Sequence, residues 1–344
     1  MGEIVQGGRS FKMCKVSKLF GIVAAAALTF GASAAQAWKP SKPIEFVVTS
    51  GAGGGTDNFA RVVQSAIAKH NLIDQPIIVT NKGGGSGAEG YVYARGAAGD
   101  PHKVIFGTNN AYLLPYVAKV GFDRSTLTPV AVMALDEFLL WVNANSEFKT
   151  AKDYIEAVRA KPETFKMGGS QSKDTDQTLV SMIEHAAGVK FIYVPFNGGG
   201  AAAVQLAGGH IDSNTNNPNE NIGQWKAGQV RPLCVFSSER LPEGPKVYDN
   251  IGWSDIPLCK DEGIPIDRFQ MPRTVWLPAN VPADVVAFYV DVLKKVSETP
   301  EWKEYITRTV QTPRFMTGEE MAKFIAEDEE KNKKVFEREG WLVK

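Results

Sequence analysis

Short apolar runs alternate with stretches of helical spacing along most of this chain. Residues 43–49, Pro-Ile-Glu-Phe-Val-Val-Thr, form a compact apolar run that predicts a strand, and a glycine turn and a helix over 57–70 follow it. The unit then repeats, with a strand over 75–80, a second glycine turn, a helix over 88–95 and a strand over 104–108. Residues 130–142 predict one or two strands that lead out of this unit. Beyond them, helices are expected over 151–160, 176–188 and from 200 to 206, with strands at 166–169, 191–195 and 232–236. The tail reads as helix over 282–296 and 318–339, and its charged last part as a solvated face. Strands alternating with helices predict an α/β chain with mainly parallel sheets flanked by helices.

A different pattern opens the chain. Arg9, Lys12, Lys15 and Lys18 precede an unbroken apolar and small run from Leu19 to Phe30, and Ala35-Gln36-Ala37 precede Trp38. A basic stretch, an apolar stretch and a small-residue cleavage site are the three parts of a secretory signal peptide, so residues 1–37 are expected to be removed near Ala37. The apolar run is shorter than the roughly 20 residues of a spanning helix. Cys14 lies before the run, which argues against a lipid anchor, and Arg9 has no neighbouring Arg, which argues against twin-arginine export. Met13 is an alternative start. Export to the periplasm removes most intracellular functions from consideration.

The 38 basic and 38 acidic residues balance, but the leader holds four of the bases and only Glu3 of the acids. The exported part therefore has 34 against 37, a net charge of −3. Without a Lys/Arg run, neither nucleic acid nor a membrane surface is an expected partner, and an anionic ligand must be held by local groups. About 300 residues exceed one typical core and suggest two domains. Cys234 and Cys259 remain after export. In an oxidising compartment they read as a disulfide, worth roughly 3–4 kcal/mol by chain entropy, against the alternative of two buried thiols. His70, His102, His185 and His210 are scattered, so no metal site is expected.

Open α/β sheets bind ligands at the carboxyl ends of their strands. Five turns there are rich in small polar residues. They are Ser50 to Asp57, Asn81 to Gly87, Thr108-Asn109-Asn110, Gly168 to Ser172 with Asp174 beyond, and Asn197 to Gly200. Glycine admits close backbone approach, and helix N-termini present free N–H groups to an anion. One such turn is ordinary structure; five spread over both halves point to a binding cleft. Gly85-Ser86-Gly87-Ala88-Glu89-Gly90 fits the dinucleotide pattern, yet no acidic residue follows at the ribose position, where the chain reads Ile105-Phe106-Gly107-Thr108-Asn109. No phosphate-binding loop of the ATPase kind and no nucleophile elbow occur either. No cofactor and no catalysis are expected. Asp174 and Asp176, on alternate residues at a helix start, suit helix capping as well as acid–base chemistry.

The run from Lys42-Pro43-Ile44 through Gly53-Gly54-Gly55-Thr56-Asp57 to Arg61 resembles the start of the substrate-binding proteins of tripartite tricarboxylate transporters, the Bug family. So do Asn81-Lys82 with Gly84-Gly85-Ser86-Gly87, the turn Val194 to Gly200, and Gly208-Gly209-His210-Ile211-Asp212. The resemblance implies a two-domain periplasmic binding protein of the type II flytrap class. It also implies a small carboxylate between the domains and delivery to the membrane subunits of such a transporter, with the protein acting as a monomer. Domain 1 is then expected over 38–142 and 241–344, and domain 2 over 143–240. Thr49-Ser50-Gly51-Ala52 and the loop Gln171 to Gln177 depart from the family's usual turns, which leaves the ligand open. Asp174 and Asp176 keep ligands with a positive group in consideration.

The expected ligand-binding residues are Ser50, Gly54, Thr56, Asp57, Thr108 and Asn109 from domain 1, and Ser170, Gln171, Asn197, Gly198, Asn216 and Asn217 from domain 2. Backbone N–H groups, helix N-termini and Ser/Thr/Asn side chains hold the carboxylate in this reading, with no arginine required. Asp57 either orients water or caps its helix, and Tyr112 and Phe196 could cover an apolar part of the ligand. A component presenting its ligand to a sensor kinase, and a periplasmic enzyme acting on a carboxylate, are the rival readings.

Overall fold

The computed structural model describes residues 38–343 together with Gly8; the leader, its cleavage site, Cys14 and the alternative starts lie outside the described residues. The run at 43–49 forms β1 (Ile44–Val48), with four of its five residues buried. Glycines then break the strand, and Asp57 in the first turn of α1 (Gly55–Lys69) and Lys69 in its last complement the helix dipole. The chain continues as β2 (Ile77–Asn81), α2 (Ala88–Gly96), β3 (Lys103–Gly107), α3 (Asn110–Val117) and β4 (Leu127–Glu137). It then crosses to a second set: β5 (Leu139–Asn143), α4 (Ala151–Ala160), β6 (Lys166–Ser170), α5 (Thr175–Ala187) and β7 (Ile192–Phe196). That set ends with α6 (Gly199–Ala207), β8 (Ser213–Asn214), α7 (Pro218–Lys226) and β9 (Val230–Val235). The return brings β10 (Gln270–Pro278), α8 (Ala283–Glu298), α9 (Pro300–Arg308), β11 (Thr312–Met316) and α10 (Gly318–Arg338).

The first sheet has the order β11-β4-β10-β3-β1-β2 and the second β7-β6-β8-β5-β9. Parallel pairing joins β1 to β2 and β3, and β6 to β7 and β8, where helices make the crossovers. The pairings of β4, β10 and β11, and those of β5, are antiparallel, so the sheets are mixed. These are the strands by which the chain leaves and re-enters each sheet, and a strand arriving from the other sheet is not bound to the direction a helical crossover imposes. Helices cover both faces of the first sheet. Phe46, Phe59, Phe106 and Trp302 pack on one side and Tyr91, Tyr112, Trp276 and Phe336 on the other.

Residues 241–269 pack on the second sheet, which corrects the expectation that all of 241–344 belongs with the first. Cys259 is bonded to Cys234 at the end of β9, with Cα atoms 4.9 Å apart. Trp253 meets Trp225 edge-on at 4.8 Å and Trp141 at 6.3 Å. Leu241, Ile256 and Leu258 join that cluster, while Ile264, Ile266 and Phe269 pack with Phe138 and Leu140. The chain therefore passes between the sheets at Phe138 and again where β10 begins.

Candidate functional site

The carboxyl ends of β1 and β3 face those of β6 and β7 across a narrow cleft. On the first side, Asp57 shapes the turn. Its Oδ2 accepts the Gly53 backbone N–H and Arg61 Nε, both at 2.9 Å, and its Oδ1 accepts Asn81 Nδ2 at 3.0 Å. Burial pushes the Asp57 carboxyl up, but these three donors outweigh it and hold it below its ordinary value. Asp57 is thus a clamp on the turn. Gly54 caps α1 in extended backbone, and Gly55 presents the first helical N–H.

A side chain of the second half receives that N–H. Glu220, in the first turn of α7, accepts Gly55 N–H with Oε1 at 3.1 Å and Asn217 N–H with Oε2 at 3.3 Å. Behind the Gly55 backbone lies Arg273 of β10, only 1% exposed. Its Nε and Nη2 both donate to Oδ2 of the fully buried Asp136, its Nη1 to Thr56 Oγ1 at 3.1 Å, and its Nη2 to Asn217 Oδ1 at 3.3 Å. Glycine is required at 55: a Cβ there would fall 3.0 Å from Arg273 Cζ and nearer still to Nη2.

On the far side, Asp174 caps α5 and accepts the Thr175 N–H with Oδ1 at 2.6 Å. Asp176 Oδ2 accepts the Ser170 N–H at 2.6 Å. Burial pushes the Asp174 carboxyl up to about 6, against the hydrogen bonds from Thr175. Burial raises Asp176 well above its ordinary value, and the neighbouring charges of Glu220 and Asp174 add to the shift. Bonds cross the cleft at its rim, from Ser86 Oγ to Ser172 O at 3.2 Å, Gln171 Nε2 to Gly83 O at 3.1 Å and Thr175 Oγ1 to Asn109 Oδ1 at 2.7 Å.

Between these groups lies a cavity of about 40 Å³. Of the residues expected from sequence, Ser50, Gly54, Thr56, Thr108, Ser170, Gln171, Gly198 and Asn217 line it. Asn109 is spent on Thr175 and Asp328. Asn216 is spent on Gly199 O and Asn221 Oδ1, and its carbonyl accepts Trp141 Nε1. Asn197 lies against the first turn through its carbonyl, 2.9 Å from where a Cβ on Gly51 would sit. Tyr112 is core, with its hydroxyl on Asp328 Oδ2, and Phe196 packs in the tryptophan cluster. Gly55, within the first glycine turn though not among the residues chosen from it, also lines the cavity, as do Glu220, Met271 and Arg273, which lie outside all five turns. A larger, apolar cavity of about 650 Å³ lies between α7, α9 and residues 242–247, away from the strand ends.

Residues 59–341 match the family model described as the tripartite tricarboxylate transporter family receptor. Among curated relatives, a UPF0065 protein encoded in the gbd 5' region of Cupriavidus necator is 29% identical over 329 residues, spanning 93% of this chain and 95% of that one. A solved periplasmic transporter component is 25% identical with a TM-score of 0.78, over 89% of this chain and 99% of that one. The fold is also that of Rpa4515 of R. palustris, solved with adipate, at 22% identity and a TM-score of 0.77 over 88% and 98% of the two chains.

Proposed function

The chain belongs to the tripartite tricarboxylate transporter receptor family, and on that premise we propose that it captures a small carboxylate in the cleft and delivers it to the membrane subunits of such a transporter. The observation that carries this reading is the convergence of glycine turns from both sheets on one cavity. Gly54 and Gly55 at the start of α1 face Gly198 and Gly199 at the start of α6, with Ser50, Thr56, Thr108 and Ser170 between them. The hydroxyls and the backbone N–H groups of these turns, apart from the Gly55 N–H that Glu220 holds, make a donor set suited to a carboxylate. The adipate carried by the R. palustris protein of the same fold is a ligand of this class.

The basic and apolar opening of the sequence supports export to the periplasm, with cleavage near Ala37. Residues 38–138 and 270–344 form one lobe and 139–269 the other, joined by the two crossings. A cavity of about 40 Å³ has room for little more than water, so the lobes must part to admit a ligand. Contacts made by both lobes then favour closure by their differential affinity. The protein binds and does not transform its ligand.

A thermal-shift screen of the chain from Trp38, refolded from denaturant to strip carried-over ligand, tests this. The panel holds mono-, di- and tricarboxylates, aromatic acids, amino acids and the matching amides. A ligand at 100 times its Kd stabilises by about 2.7 kcal/mol, a rise of several degrees in Tm. A shift with an acid but not its amide supports carboxylate capture; shifts with neutral compounds alone, or turnover, overturn it.

A further inference from the structure

The two lobes meet around a carboxylate that belongs to the chain itself. Glu220 Oε1 accepts the Gly55 N–H at the start of α1. The same carboxylate lies against the start of α6, where a Cβ on Gly199 would fall 2.6 Å from Oε1 and nearer still to Cδ and Oε2. Gly55 belongs to one lobe, Gly199 and Glu220 to the other, and all three line the cavity. A capping box explains half of this arrangement, since Oε2 accepts the Asn217 N–H at 3.3 Å within the same lobe. It explains neither Oε1, which reaches across the cleft, nor the glycine at 199 that leaves the carboxylate its room. Other bonds that join the lobes are also chain to chain. Besides those at the rim, Arg273 Nη2 donates to Asn217 Oδ1, and Arg338 Nη2 of α10 donates to Ser181 Oγ of α5 at 2.8 Å.

Resting on the reading of the cleft as a carboxylate site, we infer that Glu220 is a built-in competitor of the ligand. Its carboxylate closes the lobes in the ligand's stead and must leave Gly55 before a ligand carboxylate can take that place. The two cannot share it, because Gly55 offers a single N–H and like charges in contact repel. The geometry suits release. Of the two backbone bonds that Glu220 accepts, parting the lobes breaks the one to Gly55 and leaves the one to Asn217, on its own helix. The protein then exchanges between a self-closed form and an open form, and the open form admits the ligand. The measured affinity is the intrinsic affinity reduced by the open fraction. Glu220 sets that fraction, and with it the ligand concentration at which the protein responds.

Solution scattering and titration calorimetry on the chain from Trp38, refolded from denaturant to strip carried-over ligand, test the inference. The probes are hexanoate, succinate, adipate and benzoate with their amides. The stripped parent is expected to have the same radius of gyration as in saturating acid. Glu220→Ala should be more extended when stripped, compact in saturating acid, and bind at least tenfold tighter than the parent, as removal of a closed competitor requires. Glu220→Gln, which keeps the shape and loses the charge, should fall between the two. A stripped parent that is extended and compacts when acid is added overturns the inference, with no variant needed. So does a Glu220→Ala chain that binds acid no tighter than the parent; carboxylate capture stands in both cases. An acid that binds the variants and not the parent supports both readings. If the amides bind as tightly as the acids, or if no acid binds parent or variant, carboxylate capture falls and the competitor with it.

Discussion

The Gly55 backbone N–H donates to Glu220 Oε1 at 3.1 Å, so a carboxylate from α7 occupies the anion position at the N-terminus of α1. The bond spans 165 residues and joins the two halves of the chain across the cleft. A protein side chain thus stands in for the ligand group that this helix end attracts. Glu220→Ala removes it together with the bond from Asn217. Loss of two bonds to a charged acceptor is expected to cost about 1–3 kcal/mol in urea unfolding and to raise the radius of gyration in solution scattering. Unchanged values for both would show that Glu220 does not hold the halves together.

Asp174 ties stability to pH. Its carboxyl titrates at an ordinary 3.8 when unfolded, and burial raises it to about 6 in the fold. The folded chain therefore binds the extra proton between those values. The stability it contributes is complete below 3.8 and is lost as pH rises through about 6. Asp174→Asn keeps the acceptor for Thr175 and removes the titration. Urea midpoints measured between pH 4 and 7 should fall less for the variant than for the parent, by about 2 kcal/mol in total. Parallel pH profiles would refute the assignment.

The Arg273–Asp136 pair is sealed from solvent, at 1% and 0% side-chain exposure. Arg273→Met leaves a carboxylate buried without its cation and should cost about 3–5 kcal/mol. Adding Asp136→Leu should recover a large part of that loss, because the uncompensated charge goes with it. A double variant no more stable than the single one would place the cost in the bonds to Thr56 and Asn217 instead.

Two glycines separate packing from helix propensity. Gly55→Ala drives a methyl into the immobile Arg273 guanidinium and should destabilise by about 1–3 kcal/mol. Gly96→Ala, near the end of α2 with nothing within 4 Å of the new Cβ, should be neutral or stabilise by about 0.4–1 kcal/mol. Equal thermal shifts for the two would contradict the contact geometry.

The Cys234–Cys259 bond closes a loop with a sequence separation of 25. Replacing both cysteines by alanine should lower stability by about 3.5 kcal/mol on the chain-entropy account, read from urea midpoints without reductant. Adding reductant should then destabilise the parent alone.

Periodicity along the chain was enough to place the strand–turn–helix units of both halves, because most strands there are short apolar runs followed by a glycine turn, with β6 (Lys-Met-Gly-Gly-Ser) marked by its glycines instead. It missed α3, whose Pro115 reads as a helix breaker yet sits at the sixth of eight positions, where the helix is already about to end. It missed α7 and α9, where polar residues and Pro218 or Pro300 mask short amphipathic segments. It also missed β10, whose proline and arginine interrupt a run that is nonetheless buried along nearly its whole length.

The sequence by itself determined the α/β class, the family, and the glycine turns that line the cleft, since these are local properties of strand ends and helix starts. Only the tertiary structure decided which charges share that cleft. Arg273 reaches Thr56 across 217 residues of chain and Glu220 reaches Gly55 across 165. Asp174 and Asp176 look like helix caps in sequence, and they do cap and brace their turn. Their closeness to Glu220 became visible only once folding had brought the three acids to one cavity, because charge balance depends on distance in space and not on order along the chain.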